Sequence, residues 1–312
     1  MEEIKTKEEI VKPEKLYLSF SEYTLFRSCP YKWFLQYVLD FKESRNEFLV
    51  FGSSLHKSIE KVILENPSKM LYSKIFTEAL KKESNGIFTG TYFGKGMIND
   101  GSQLLNKLDF HKRFRDWEPN YIFENNEKKI VGIEEAVYEP LMEVDGKQLF
   151  FKGFIDFAAK SRIDSRYMVL DWKTGIKNWD IEKKAGKVPF DIIAKKLKTN
   201  KELTLQEAES LQAKLFFGQT VLYKYFYSQK HNIPIKDIIT RYCVLTRQPI
   251  EIYMYETQYE NNFIEYIIED VKKVFEEIYE FKKNLSKDLD KAKNIPHLKS
   301  FCGWCKLKAE CK

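Results

Sequence analysis

Residues Gly153–Gly175 read GFIDFAAKSRIDSRYMVLDWKTG, and this stretch decides the fold. Two apolar runs flank the polar segment SRIDSR at 161–166, which is the pattern of a β-hairpin. Side chains alternate along a strand, so residues two apart share a face. Asp171 and Lys173 therefore project together with Val169, and Asp156 projects with Phe154 and Ala158. Facing residues of an antiparallel hairpin are symmetric about its turn. Asp156 and Asp171 are symmetric about the Ile163–Asp164 step, which sets the two carboxylates opposite each other. Glu135 and Asp156 are symmetric about Asp145–Gly146, itself a hairpin-turn dipeptide, so the same rule adds Glu135 to the row. A slip of one residue would remove it, because every side chain then changes face.

The rest of the chain alternates in type. After a charged leader at 1–15, Leu16–Phe20 reads as extended, and Ser19 or Ser21 can cap the helix that follows. Cys29-Pro30 breaks that helix, and Pro30 suits the first turn of the next, Tyr31–Leu39. Phe51–Glu65 carries Leu55, Ile59, Val62 and Ile63 at helical spacing, and Ser68–Ser84 reads as a further helix. Gly86, Gly90, Gly94, Gly96 and Gly101 predict a loop across Gly86–Gly101. Asn99–Trp117 reads as helix with a basic end, His111, Lys112, Arg113 and Arg115. Strands follow at roughly 129–140, 147–159 and 166–173, then a lysine-rich insertion at Ile176–Leu203. A helix capped by Thr204 runs to Gln229, strands span Ile238–Thr246 and Ile250–Glu256, and a helix spans Gln258–Leu285. The expectation is an α/β fold with a mixed central sheet flanked by helices. Its parts are a leader (1–15), an N-terminal helical region (16–128), a core (129–257, insertion 176–203) and a C-terminal helix with a cysteine tail (258–312).

Composition narrows the classes. A net charge of +6 with 31% charged residues permits a nucleic-acid groove without demanding one. No apolar run reaches the ~20 residues of a membrane span. The leader MEEIKTKEEIVKPEK has no apolar segment of a signal peptide, so the expected location is cytoplasmic, with no membrane partner. In that compartment clustered cysteines more often bind metal than pair as disulfides. Gly94-Lys95-Gly96 is not a phosphate-binding loop, and no Walker A pattern occurs elsewhere.

Like charges facing each other destabilise a sheet, so a row of carboxylates calls for a cation. Oxygen donors suit Mg²⁺ or Mn²⁺, which polarise a phosphate and acidify a bound water. Lys173 beside them can orient or deprotonate that water, or stabilise the charge that builds in the transition state. The residues alone also admit a plain Asp156–Lys173 salt bridge with Asp171 closing the strand. The cysteines carry a second signal. Cys302-x-x-Cys305 and Cys311 offer three thiolates, and Cys29 is the candidate fourth. Four thiolates hold a 4Fe-4S cluster or a structural Zn²⁺, and residue chemistry does not separate them. Cys243, in the apolar run Tyr242–Leu245, reads as a buried free thiol.

The order of these motifs resembles the PD-(D/E)XK nuclease superfamily. Within it, the chain is similar to RecB-like nucleases that carry a 4Fe-4S cluster, including AddB nuclease domains and CRISPR-associated RecB-like exonucleases. The motifs are Phe51-Gly52-Ser53-Ser54-Leu55-His56, Gly153-Phe154-Ile155-Asp156, Asp171-Trp172-Lys173 followed by Thr174-Gly175, and Gln219-Thr220-Val221-Leu222-Tyr223. With the cysteine frame they extend from about Ser19 to Cys311. The resemblance implies a restriction-endonuclease-like core. It implies His56, Asp156, Asp171 and the Trp172 carbonyl as metal ligands and Lys173 as the catalytic lysine. Gln219 and Tyr223, one helical turn apart, would steer the lysine or a phosphate. Read without it, they are a surface glutamine and a core tyrosine, and Gln212 precedes Phe216 at the same spacing. The resemblance, with the spacing, also assigns Cys29, Cys302, Cys305 and Cys311 to a 4Fe-4S cluster rather than to zinc, as a clasp between the termini.

Lys183, Lys184, Lys187, Lys195, Lys196 and Lys198 either track phosphates or form a solvated flap. Tyr92, Phe93, Trp172 and Trp179 are candidates for stacking on unpaired bases. The function implied is a Mg²⁺- or Mn²⁺-dependent deoxyribonuclease. Its expected substrate is single-stranded DNA or DNA ends, cut as an exonuclease in recombination, repair or replication, with a helicase or recombination partner. The rival readings are a non-catalytic iron–sulfur DNA-binding subunit of a helicase–nuclease complex, and a CRISPR-adaptation nuclease.

Overall fold

A computed structural model describes residues 16–41, 46–87, 92–175, 184–199, 201, 203–257 and 261–285. The chain begins with β1 (Tyr17–Ser19), α1 (Phe20–Ser28), α2 (Pro30–Trp33) and a π-helical turn at Phe34–Val38. Next come α3 (Glu47–Glu65), α4 (Tyr72–Glu83), α5 (Tyr92–Leu108) and α6 (Phe110–Arg113). The strands β2 (Trp117–Pro119), β3 (Tyr121–Glu124), β4 (Glu127–Ile130), β5 (Ile133–Val144), β6 (Lys147–Ser161) and β7 (Tyr167–Gly175) follow. The remainder is α7 (Phe190–Lys198), α8 (Leu205–His231), β8 (Ile238–Arg247), β9 (Ile250–Thr257) and α9 (Asn261–Leu285). Two compact units form, and β5, β6 and α9 contribute residues to both.

One unit gathers the described residues of Met1–Ser44, Tyr138–Gly153 and Glu265–Lys312. Ser19 caps α1 by accepting the Glu22 N–H at 3.2 Å, and β1 lies parallel to the first half of β6, Tyr17 opposite Phe150. Cys29 is extended at φ −163°, ends α1 and begins α2, with Pro30 in the first turn where no N–H is needed. Its sulfur accepts the Lys32 N–H at 3.5 Å. α9 returns onto these helices. Tyr23 donates to Asp270 Oδ2 at 2.6 Å, and Arg27 grips the same carboxylate with two nitrogens. Phe281 packs edge-on against Trp33 at 5.7 Å and Phe34 at 6.1 Å.

The other unit gathers the described residues of Arg45–Val137 and Phe154–Ile264. It holds a mixed sheet. β6 and β7 are antiparallel, with Phe157 opposite Leu170 and Lys160 opposite Tyr167, the register that turn symmetry demands. β7 and β8 are parallel, with Asp171 opposite Tyr242 and Lys173 opposite Val244. β8 and β9 are antiparallel. Alternation then sorts the two faces. Phe157, Ala159, Met168, Leu170 and Trp172 join the apolar stripes of α3, α4 and α5 in one core. Tyr242 and Val244 meet Ala213 and Phe217 of α8 on the other. Thr204 and Glu207 close a capping box at the start of α8. This is the α/β architecture with helices on both faces of a mixed sheet.

Two expectations are corrected here. Trp172 does not face a substrate, since it is buried among Phe110, Phe114 and Phe157. Tyr92 and Phe93 begin α5, but their side chains, like Trp179, lie outside the described residues. The glycine-rich stretch is not a loop throughout, because α5 starts at Tyr92 and carries Gly94, Gly96 and Gly101 within it. At Gly101 the reason is packing. A Cβ there would lie 2.5 Å from the ring of Phe76, which is fully buried on α4. Gly101→Ala should therefore destabilise the protein by about 1–2 kcal/mol, overpacking outweighing the ~1 kcal/mol gain in helix propensity. Thermal melting reads this as a drop of several degrees, and an unchanged or higher melting temperature contradicts the packing account.

Candidate active site

The site forms where β6 and β7 part. Their paired register ends at Phe157 and Leu170. Just beyond, the N–H of Trp172, two residues past Leu170, donates to Asp156 Oδ2 at 2.7 Å, so a side chain takes the place of a ladder carbonyl. Asp171 and Lys173 follow on the α8 face, and Lys173 Nζ lies 2.6 Å from Asp171 Oδ2. α8 supplies the next contact. Lys173 donates to Gln219 Oε1 at 2.9 Å, and Gln219 Nε2 donates to Tyr223 Oη at 3.0 Å. The i, i+4 spacing on one helix makes this chain possible. It also singles out Gln219 over Gln212, as its neighbour Tyr223 orients the amide so that the oxygen faces the ammonium.

α3 brings His56. Gly52, one turn earlier, allows the approach: a Cβ there would stand 3.0 Å from Thr174 Oγ1, two residues past Trp172. His56 Nδ1 lies 3.6 Å from Asp156 Oδ1. Glu134 completes the group, with one ligand atom each from His56, Glu134 and Asp156 within 4.8 Å of one another. Here β5 departs from turn symmetry. Glu135 is turned away from Asp156, buried, and accepts from Lys230 Nζ at 2.8 Å while meeting His231 Nε2 at 2.5 Å. The Ala158 N–H donates to Gly132 O at 2.7 Å, an offset one residue short of symmetry about Asp145–Gly146. A Cβ at Gly132 would fall 2.1 Å from Ala158 O, so only glycine permits this approach. Glu134 itself sits at φ 50°, which breaks the alternation and sends its carboxylate toward Asp156. Gly132 was the sequence signal for that shift.

The electrostatics follow from burial. Burial pushes the Asp171 carboxyl up to about 6, against the pull of Lys173 and with the help of the Asp156 charge. Burial and the nearby Asp156 charge also raise Glu134. For His56, burial disfavours the cation, but the hydrogen bond and charge of Asp156 outweigh it and the pKa rises. Burial and the Asp171 charge raise Tyr223, so its phenol stays protonated. Asp171 Oδ2 is buried without an aligned donor, since Lys173 meets it off the hydrogen-bond axis. Clustered carboxylates, two of them with pKa raised by burial, an imidazole and a poorly satisfied buried oxygen together fit a hard divalent cation. His56, Glu134 and Asp156 would hold it, with Asp171 and the Trp172 carbonyl beside them.

A sequence model of the PD-(D/E)XK nuclease superfamily matches residues 17–312. The chain belongs to that superfamily. It is 26% identical over 215 residues to a subunit of the ATP-dependent helicase/deoxyribonuclease of Carboxydothermus hydrogenoformans. That match takes in 60% of this chain but spans only 19% of the relative. Among solved structures, a candidate exonuclease from Eubacterium rectale aligns with TM-score 0.49 and 13% identity, covering 86% of this chain and 82% of its own. Of the superfamily-type residues named above, His56, Asp156, Asp171, Lys173, Gln219 and Tyr223 lie in one connected group. Cys29 lies among the described residues as a buried free thiol, whereas Cys302, Cys305 and Cys311 lie outside them. Cys243 is buried, and burial pushes its thiol up to about 12.

Glu134 and Glu135 are separated by experiment. Mn²⁺ should raise the melting temperature of the wild type and of Glu135→Gln, but not of Glu134→Gln. Equal Mn²⁺ shifts in the two variants would remove Glu134 from the donor set.

Proposed function

We propose that this chain is a metal-dependent deoxyribonuclease that hydrolyses phosphodiester bonds of single-stranded DNA or DNA ends as an exonuclease. The observation that carries the reading is Lys173, fixed between Asp171 and Gln219 beside the His56–Glu134–Asp156 group. A bound Mg²⁺ or Mn²⁺ would polarise the scissile phosphate and supply a water acidic enough to attack it. The chain's own residues do the rest. An ammonium has three donors; Gln219 engages one, and Asp171 holds the charge as an ion pair off the hydrogen-bond axis, so donor capacity remains for a phosphate oxygen or the attacking water. Asp171 is buried at 2% exposure while the Lys173 side chain is 23% exposed, so the anchor is sheltered and the working end is open. Gln219 and Tyr223 act as positioning residues, since they hold Lys173 in place. Phe154, 48% exposed and on the strand face of Asp156, offers a ring to an unpaired base.

The lysine-rich insertion divides. Lys187 pairs with Glu209 at 3.6 Å and Lys196 with Glu207 at 2.8 Å. Lys183 lies outside the described residues, as does the Lys198 side chain. These pairs support a fixed surface element for that part of the insertion.

The iron–sulfur clasp belongs to the same proposal, with zinc as its rival. Cys29 is a free thiol in the unit where α9 packs on α1 and α2. α9 runs to Leu285, and the three tail cysteines follow it in sequence. That arrangement supports joining Cys29 to the tail. The relative's name, a helicase/deoxyribonuclease subunit, supports deoxyribonuclease action alongside a helicase partner. Among the described residues no helix is long and apolar enough to cross a membrane. A non-catalytic DNA-binding subunit is the weaker reading, because it has no use for a lysine held between a carboxylate and an amide.

Two measurements check the proposal. With end-labelled single-stranded DNA and Mn²⁺ or Mg²⁺, Lys173→Ala should lower the cleavage rate by a factor on the order of 10²–10³. Equal cleavage by wild type and variant sinks the enzyme reading. Anaerobically purified protein should be brown with broad visible absorption that Cys29→Ala removes. A colourless protein that holds zinc would replace the cluster by a zinc site.

A further inference from the structure

The basic segment after α5 remains unused by the site. It forms one wall of a cleft of about 360 Å³ in the unit that carries the catalytic group. Its floor is apolar, made by Phe110, Phe114 and Trp117. Its rim is cationic, made by Arg115, Lys128 and Arg162, with His111 beside them bound to Val62 O at 3.0 Å. Among the described lining residues Glu118 is the one acid, and it is tied to Lys128 at 2.6 Å. Arg115 is 76% exposed and stands 3.7 Å from Asp116.

Lys128 and Ile130 connect the cleft to the β3–β4 ribbon. Phe123 is opposite Lys128 and Tyr121 opposite Ile130, so these four side chains share one ribbon face. Every residue of both strands is exposed, and Phe123 reaches 67%. The two rings meet edge-on at 5.3 Å, and the Lys128 ammonium lies 3.9 Å over Tyr121. An isolated two-stranded ribbon gains little from leaving aromatic rings in water. Rings beside cations, leading into a cationic cleft, match a ligand with flat apolar faces and a chain of negative charges.

We propose that this cleft and ribbon face bind single-stranded nucleic acid, with phosphates on Arg115, Arg162 and Lys128 and unpaired bases stacked on Phe123 and Tyr121. The ligand class rests on the nuclease reading above. Base faces are accessible only when strands are apart, and the cleft admits a nucleobase rather than a duplex. Position supports the link. Ile63 lines the cleft two turns beyond His56 on α3, about 10 Å along the helix. Arg162 follows Asp156 by six residues, about 20 Å along an extended chain. The track therefore holds a strand several nucleotides from the metal group.

The test uses the full chain in EDTA and a fluorescein-labelled 20-residue oligothymidylate, read by anisotropy across a salt series. Phe123→Ala should weaken binding about tenfold and Phe123→Trp should restore it. Arg115→Gln with Arg162→Gln should lower the slope of log affinity against log salt by about 1.4, or about 0.7 per lost phosphate contact. Hydrolysis of thymidine 5′-p-nitrophenyl phosphate, too short to reach the track, should not change in these variants. Unchanged affinity and slope overturn the proposal. So does competition by polyglutamate as strong as by unlabelled oligothymidylate, which would mark a site for an acidic protein, or equal losses with duplex DNA. If the wild type cuts no DNA yet the variants lose binding as stated, the track stands and the nuclease reading falls.

Discussion

Everything at the site depends on one hydrogen bond, from the Trp172 N–H to Asp156 Oδ2 at 2.7 Å. It replaces a rung of the β6–β7 ladder with a side chain. A buried N–H without a partner costs about 1–3 kcal/mol, so the strands can part here only because a carboxylate accepts it. Parting opens the end of the sheet while keeping Trp172 locked in the core behind. Asp156 thus closes the fold with one oxygen and turns the other toward His56. The same strand end then offers Asp171 and Lys173 to α8, on the face opposite to Trp172.

The arrangement is electrostatically uneasy by construction. A carboxyl that burial pushes up to about 6 at Asp171, a second that burial and the Asp156 charge raise at Glu134, and an imidazole that Asp156 and Asp171 raise against its burial are the marks of charges gathered for a cation. A salt bridge alone would not need this. The plain alternative was Asp156 paired with Lys173. Instead the lysine pairs with Asp171 and Gln219, and Asp156 faces the histidine. The site lies wholly within one compact unit. The other unit holds Cys29 and is fastened by Asp270, which binds Tyr23 and Arg27 at once.

Sequence by itself determined the hairpin, its register and the gathering of two aspartates and a lysine at its end, because period-two alternation and turn symmetry are local rules. It also determined the cap at Thr204, the Cys29-Pro30 break and the Asp145-Gly146 turn, each a short-range preference, and narrowed the first cap to Ser19 or Ser21, of which the structure uses Ser19. Only the tertiary structure decided the rest. Whether Glu134 or Glu135 faces Asp156 depends on how closely Gly132 approaches Ala158, a contact between strands that the glycine permits but only the folded sheet places. Whether glycines make a loop or a packed helix depends on Phe76 from another helix. Whether Trp172 meets a substrate or the core depends on which face the helices cover, since alternation shows that two faces exist but not which one is dry.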